Sequence, residues 1–507
     1  SDAVGGVINI ITKKADKSYG KVSIVAGSMG AEDYSAMYSV KEGKTGVSIL
    51  ASKYKQEYYK YRDASTDTTK RWPLGSETDK EKVSLKLEHE FNNKFNVEVG
   101  YDYNKYDGFS VSNLANINGY TGNYYFSKND MEIKNIYTKL NWNLKEKDAG
   151  YLQYHHNEFD YYSFDYLDGS LYGDKKEKID TVDLQQSVNL FDNNKLVIGA
   201  SWSDIKVDNL NHYNENLDTI AFFLNDTWEF APTWTLNAGV RYDDHSEVGD
   251  ETTFSAALNK KFDENNHMYI NWGQVFNAPS TGDLFEYSDY GSFKSIGNRN
   301  LKAETGDTWT IGYNGILSDR TDFGVNYFES ELDDAINWID YVDDNGVWVS
   351  TVDNVDKQKK RGLEFNVNHK VNSNLKLTAS YTYINVKNNE NNSGFIKDWN
   401  YVPNTYRFGI NYNEGKWDTN LYLRAGTGCA THTYLDKYYT PKISYVDNNF
   451  ITVDFAVTYK ATKDLSFFAK GYNLFNEAYA EQAGVSYGSY KFPAQSRRFI
   501  VGAEYKF

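Results

Sequence analysis

The chain ends in a strand, and that ending constrains the fold more than any other feature. In the last eleven residues Phe499, Val501, Ala503, Tyr505 and Phe507 fall on one face, and Arg498, Gly502, Glu504 and Lys506 on the other, with Ile500 the one apolar exception. Successive side chains of an extended chain point to opposite sides, so this is a strand with one apolar and one polar face. It runs to the terminal Phe507, and a strand there presents an open edge unless something pairs with it. The economical partner is the first strand of the same chain, near Tyr19–Gly27, which closes the sheet into a barrel.

The same alternation recurs throughout. Val83, Leu85 and Leu87 alternate with Lys82, Ser84, Lys86 and Glu88; Val97, Val99 and Tyr101 with Glu98, Gly100 and Asp102; Leu377, Ala379 and Tyr381 with Lys376, Thr378 and Ser380. A soluble sandwich turns such an apolar face inward, whereas a membrane barrel turns it toward lipid and lines a wet lumen with the polar face. The connections separate the two. Twenty-two strands are expected, centred near residues 24, 36, 50, 85, 99, 138, 154, 184, 199, 222, 238, 257, 270, 310, 326, 365, 380, 408, 421, 455, 468 and 502. Turn-like links such as Glu42-Gly43-Lys44, Asn92-Asn93-Lys94 and Asn372-Ser373-Asn374 alternate with long ones near 57–79, 106–131, 160–177, 276–302, 333–357, 388–401, 427–448 and 474–496. Short turns on one side and long loops on the other describe an all-β, 22-stranded antiparallel transmembrane barrel of an outer membrane. A barrel that wide encloses a lumen that needs a plug.

Composition agrees. The 507 residues carry a net charge of −16 and include 44 Tyr and 11 Trp, which suits aromatic girdles at two bilayer interfaces. No apolar run approaches the ~18 residues of a spanning helix. The acidic balance argues against nucleic acid as a partner, and the single Cys429 forbids an intrachain disulfide.

Three stretches carry a resemblance. Residues 1–14, Ser-Asp-Ala-Val-Gly-Gly-Val-Ile-Asn-Ile-Ile-Thr-Lys-Lys, resemble the end of the plug domain of TonB-dependent outer-membrane receptors. Phe276-Asn277-Ala278-Pro279 with Gly297-Asn298-Arg299-Asn300-Leu301-Lys302-Ala303-Glu304-Thr305 resembles the paired boxes around that family's seventh extracellular loop. Tyr472-Asn473-Leu474-Phe475-Asn476, with Phe492-Pro493 and Arg497, resembles the borders of its last loop. The resemblance implies residues 1–14 as the plug's end and 15–507 as the barrel of a longer receptor. It also implies import of a scarce iron complex, a ferric siderophore first, then cobalamin or haem. The energy would come from the TonB-ExbB-ExbD complex acting on a segment upstream of Ser1. A passive porin or adhesin is the rival from another class.

No Gly-x-Ser-x-Gly elbow or other catalytic constellation appears, so no enzyme and no cofactor are expected. His155 and His156 are adjacent on a strand and point to opposite faces, so they cannot chelate one metal together. The long loops are aromatic: Tyr58, Tyr59 and Tyr61; Tyr124, Tyr125 and Phe126; Tyr161, Tyr162, Phe164 and Tyr166; Tyr287 and Tyr290; Tyr434 beside His432. Tyrosine offers a flat apolar face and a hydroxyl at low entropic cost, so these residues are the candidate ligand contacts. The seventh loop lacks the His that the family's haem receptors carry there, though Tyr can also ligate ferric haem. Asp160, Asp165, Asp168 and Asp174 could hold calcium through oxygens.

Overall fold

The computed structural model describes residues 15, 17–63, 67–71, 76–109, 127–145, 148–165, 169–209, 212–289, 291–390, 394–398, 401–428, 433–434, 441–442, 449–480, 485–486, 489–490 and 493–507. Twenty-two long strands form one antiparallel sheet, numbered here in chain order. They are β1 (Tyr19–Gly27), β2 (Ala31–Glu42), β3 (Thr45–Gln56), β4 (Thr78–Asn92), β5 (Phe95–Phe109), β6 (Ser127–Lys145), β7 (Asp148–Asp165) and β8 (Leu171–Val188). Then follow β9 (Asn194–Asn209), β10 (Tyr213–Ala231), β11 (Trp234–His245), β12 (Gly249–Lys261), β13 (His267–Asn277), β14 (Glu304–Ser318) and β15 (Thr321–Val342). The last are β16 (Trp348–Lys370), β17 (Leu375–Glu390), β18 (Asn404–Glu414), β19 (Trp417–Thr427), β20 (Phe450–Lys460), β21 (Leu465–Tyr472) and β22 (Arg498–Lys506). β22 pairs back onto β1, from Lys21 opposite Lys506 to Gly27 opposite Ile500, and the sheet closes.

The terminal residue helps lock that seam. Phe507 exchanges backbone hydrogen bonds with Gly20, at 2.7 and 3.0 Å, and its ring lies where a Cβ on Gly20 would sit. Tyr38 and Tyr505 stack on either side of it.

The alternation resolves as the pattern of a membrane barrel. Aliphatic residues such as Ile24, Leu85, Leu87, Val99, Leu152, Leu184, Ile198 and Val501 stand uncovered on the outer face. Near the short turns this band is bordered by Trp228, Phe230, Trp417 and Phe507, and toward the other rim by Tyr34, Tyr154, Tyr242, Trp309 and Tyr406. These are two aromatic girdles. The opposite face is polar and satisfied internally. Lys86 lies 2.9 Å from Glu88 and 3.0 Å from Glu98, and the Tyr137 hydroxyl donates to Glu98 at 2.6 Å. His155 stacks on Tyr137 inside, while His156 pairs outside with Asp180 at 2.8 Å. At the short-turn end the backbone N–H of Ala15, which is 2% exposed, donates to Glu88 at 2.9 Å. The chain thus reaches β1 from inside the lumen.

The long connections differ from the sequence expectation in two ways. The stretches 160–177 and 333–357 are mostly strand, because β7 with β8 and β15 with β16 stay paired far past the lipid band, through register shifts at Leu171/Gly173 and at Leu332/Ala335/Ile336. Along β7 and β8 alternation persists, but the outward residues change from aliphatic to charged. Lys53–Glu81 (2.7 Å), Lys134–Asp160 (3.8 Å), Lys178–Glu158 (3.0 Å) and Lys206–Asp204 (2.6 Å) form ladders on the outside. Such exposed pairs add little stability each, but they keep the protruding sheet soluble. The alternation of short and long is also not strict: residues 28–30, 210–212 and 246–248 suffice for three of the outer connections.

Within these ladders Asp79, Asp107 and Asp130 form one cross-strand row, well above the lipid band. Burial, and then the neighbouring Asp107, push the Asp130 carboxyl above its ordinary range. A raised carboxyl pKa means that the charged form is disfavoured by folding. It therefore destabilises above the folded-state pKa, and this penalty fades as pH falls through that value toward the unfolded one. Asp130→Asn should accordingly raise the unfolding midpoint at neutral pH and lose that advantage in acid, as a urea titration at several pH values would record.

The extracellular mouth as candidate functional site

Residues 278–303 connect β13 to β14 and fold down onto the inner wall. Ser280 caps a short helix, α1 (Thr281–Phe285), in a capping box with Asp283. The helix places Leu284 and Phe285 against Leu217, Leu301 and Val352 in a small apolar core. Phe293–Ile296 then adds in parallel to Trp348–Thr351 of β16. This covers an edge left open where β16 extends beyond β17, which is the physical reason for the docking. The two boxes seen in the sequence meet here. Asn277 donates to Glu304 at 2.6 Å, and the Asn298 amide donates to the carbonyl of Val352 at 3.1 Å. Gly297 passes so near the helix that a Cβ would stand 2.7 Å from the backbone nitrogen of Phe285.

His212, from the β9–β10 connection, fastens this segment. Its Nδ1 lies 2.7 Å from Ser288 Oγ and 3.0 Å from Glu286 Oε1. The serine and the glutamate share one ring nitrogen, so the trio is a clasp and provides no relay through the imidazole to a nucleophile. Arg299 pairs with Glu215 on the same hairpin. His212→Ala should cost about 1 kcal/mol of local docking. Amide exchange at Phe293–Ile296 should then rise about fivefold while the barrel strands stay protected.

On the other side of the mouth, described residues of the connections 57–77 and 473–497 pack together. Tyr59 donates to the carbonyl of Pro493 at 2.8 Å, Tyr61 bridges to Gln495, and Asn476 reaches Thr69 at 2.8 Å. The last-loop motif is a knot of backbone bonds. Asn473, in the left-handed region and 4% exposed, both donates to and accepts from Glu477, and Asn476 accepts from the backbone of Arg497 at 2.9 Å.

Inside this rim, cations sit over aromatic rings. Arg71 lies 4.2 Å from the centre of Tyr58, Arg498 4.3 Å from Tyr472, Arg299 4.5 Å from Phe285, and Arg424 5.1 Å from Phe450. Below Arg498, a groove of ≈ 450 Å³ on the lumen side of the seam is lined by Ser23, Asp33, Tyr54, Lys470 and Glu504 among others.

The tyrosines picked out in the sequence are dispersed by this architecture. Tyr58 and Tyr59 lie at the mouth, and Tyr61 is packed away at 4% exposure. Tyr161 points to the lumen side, bonded to Asn129 at 3.0 Å, whereas Tyr162 and Phe164 stack on the outer face. Tyr161 and Tyr162 are neighbours on a strand rather than parts of one loop, and they cannot share a vestibule. Tyr287 is half exposed on the docked segment. Tyr434 falls in the short strand Thr433–Tyr434, and its side chain lies outside the described part, as does that of Asp165. Tyr124, Tyr125, Phe126, Tyr166, Tyr290, His432 and Asp168 also fall outside the described residues. Asp160 and Asp174 stand on the charged outer ladders, and among the described residues no three His, Cys, Asp or Glu side chains are grouped to hold a metal. The sequence reading missed the arginines, because which ring each one covers depends on strand register.

Comparison with known proteins now bears on the geometry. The model of the family described as "TonB dependent receptor-like, beta-barrel" matches residues 30–474. A vitamin B12 transporter, BtuB, of Photobacterium profundum is 23% identical over the whole chain and 77% of its own length. Among solved structures, the FrpB iron transporter from Neisseria meningitidis superposes with a TM-score of 0.82 at 14% identity, over 97% of this chain and 82% of that one. The siderophore receptor PirA from Acinetobacter baumannii gives 0.81 at 14% identity, over 100% and 83%. The chain belongs to the TonB-dependent receptors, β-barrel transport receptors of the Gram-negative outer membrane.

Proposed function

We propose that this chain is the barrel of an importer that takes a ferric siderophore across the outer membrane. The observation that carries this reading is the cation-on-aromatic rim: Arg71 over Tyr58 and Arg498 over Tyr472. Iron chelates present anionic oxygens on flat, often aromatic donors, and such a rim offers both guanidinium forks and ring faces to them. Residues 1–14 are read as the end of the plug and 15–507 as the barrel. The lumenal bond from Ala15 to Glu88 supports that reading, because it leads the chain out of the barrel interior. The energy would come from TonB-ExbB-ExbD, gripping a segment upstream of Ser1. Lipid covers the outer apolar band.

Cobalamin is the second reading, favoured by the BtuB relative that aligns along the whole chain. A passive porin or adhesin would lack a plug upstream, so the gene sequence preceding Ser1 separates that class at once. Growth of a receptor-deleted host on ferric siderophores, haem and cobalamin tests the choice among ligands. Tyr58→Ala with Tyr472→Ala should weaken binding of the active chelate roughly tenfold, with assembly unchanged because both residues lie at the rim. Growth on cobalamin alone would replace the siderophore reading with the second one.

A further inference from the structure

The lipid face carries a concavity that crosses the closing seam. Elsewhere large side chains such as Leu87, Leu184 and Phe222 stand on that face, but three neighbouring strands bring alanines together: Ala26 of β1, Ala503 of β22 and Ala469 of β21. The register sets them in two rows. Ala26, Val501, Ala469 and Val457 stand opposite one another in turn, and the row below runs Ile24, Ala503, Phe467, Tyr459 and Trp417. Together they enclose a groove of ≈ 620 Å³ on the outside of the barrel, with small side chains as its floor and rings as its wall. Trp417 packs on Tyr459 with ring centres 4.7 Å apart.

The lower row climbs through the membrane. Trp417 is the first residue of β19, at the short-turn girdle, and Ile24 is the sixth of β1. Five strand steps of ~3.3 Å at a tilt of ~45° raise the row about 12 Å. That is close to the ~15 Å of one leaflet in a ~30 Å hydrocarbon core. The groove has the direction and height of one acyl chain running from the periplasmic interface toward the midplane. Two cations stand at its lower end. Lys416 precedes Trp417, and its ammonium donates to the carbonyl of Ala461 at 2.8 Å and lies 5.9 Å from the centre of the Tyr459 ring. It is thereby held over the turn that contains Lys463. The Lys463 side chain is 90% exposed and only loosely paired with Asp464, at 3.8 Å. The other acid at this end, Glu414, accepts from the Tyr412 hydroxyl.

We propose that this groove binds one anionic phospholipid of the periplasmic leaflet, with an acyl chain seated over Ala26, Ala469 and Ala503 and the phosphate between Lys416 and Lys463. The groove is continuous with the lipid-covered band, so a lipid chain is the occupant at hand, and a chain lying in it regains the dispersion contacts that an unfilled hollow forfeits. The lysines select the headgroup, because each ammonium near a membrane surface favours an anionic lipid. A lipid seated here touches both strands of the β1–β22 seam.

The test uses the full-length receptor in mild detergent, with retained lipid measured by native mass spectrometry after exposure to anionic phosphatidylglycerol or zwitterionic phosphatidylethanolamine. The wild type should hold one phosphatidylglycerol per barrel, about tenfold more tightly than phosphatidylethanolamine. K416Q with K463Q should erase that preference. A469F with A503F should abolish retention of both lipids, whereas A200F, on the lipid face of β9 opposite Phe222, should change nothing. A second measurement needs no filled groove. In vesicles, phosphatidylglycerol with brominated chains should quench tryptophan fluorescence at a lower mole fraction than brominated phosphatidylethanolamine, and this difference should vanish in W417F. No retained lipid, equal retention of the two lipids by the wild type, full retention in the groove-filled variant, or quenching that ignores the headgroup would each overturn the site. A wild-type dimer that the groove-filled variant cannot form would also overturn it and give the groove to a second copy of the chain. Unboiled gel mobility shows which variants are folded, and the quenching decides the matter if the groove-filled variant is not.

Discussion

A chain ending at Arg497 should not assemble. β22 is held on both sides, by β21 from Leu465 opposite Tyr505 to Tyr472 opposite Arg498, and by β1 through seven paired positions from Lys21 to Gly27. Without it, two edges of a twenty-one-stranded sheet face lipid with unsatisfied backbone groups. Each such group costs several kcal/mol in hydrocarbon, so the loss far exceeds the stability of a typical domain. The full chain should migrate faster on a gel without boiling than after it. The truncated chain should show no such shift and should be degraded in the periplasm. Loss of Phe507 alone should be milder, removing its two backbone bonds with Gly20 and the ring packed there. A truncated chain that still shows the gel shift would mean that β22 is not needed for closure.

Val99→Arg should cost about 2–4 kcal/mol if Val99 lies near the midplane, where a cation on the lipid face is most expensive. Val99 stands on the outer face between Leu87 and Thr138 in the register. Asn96→Arg, three residues away, projects into the lumen beside Asn141. It should change stability by far less, because lumen substitutions meet water. Guanidinium unfolding in lipid vesicles compares the two directly, and equal costs would mean that the inward and outward faces have been misassigned.

Most of this architecture is legible because period-two alternation survives across the lipid-facing stretch of the strands. The expected centres at 36, 184 and 468 fall well inside β2, β8 and β21, and the others likewise lie in strands. What misled the reading of 160–177 and 333–357 was the change of outward residues from Leu152 and Tyr154 to His156, Glu158 and Asp160. Apolar character marks lipid contact, whereas strand pairing needs only backbone, so β7 continues where the apolar signal stops. The boxes around the seventh and last loops were visible as strings, but their purpose was not. Asn277 to Glu304 and Asn476 to Arg497 are contacts that only the folded mouth brings together. The cationic rim was hidden for the same reason. Arg498 lies over Tyr472 because β21 and β22 pair in one particular register, and nothing local to either residue announces it.

The central claim, an energised importer and not a passive pore, is tested most directly by radioactive iron uptake with the full-length receptor as the sole route. Cells supplied with the chelate that supports growth should accumulate iron when TonB is present. Accumulation should fall to the receptor-less background when TonB is deleted or a protonophore is added, while surface binding of the chelate persists. Uptake that continues unchanged without TonB and without a proton gradient would contradict the account and assign the barrel to passive diffusion.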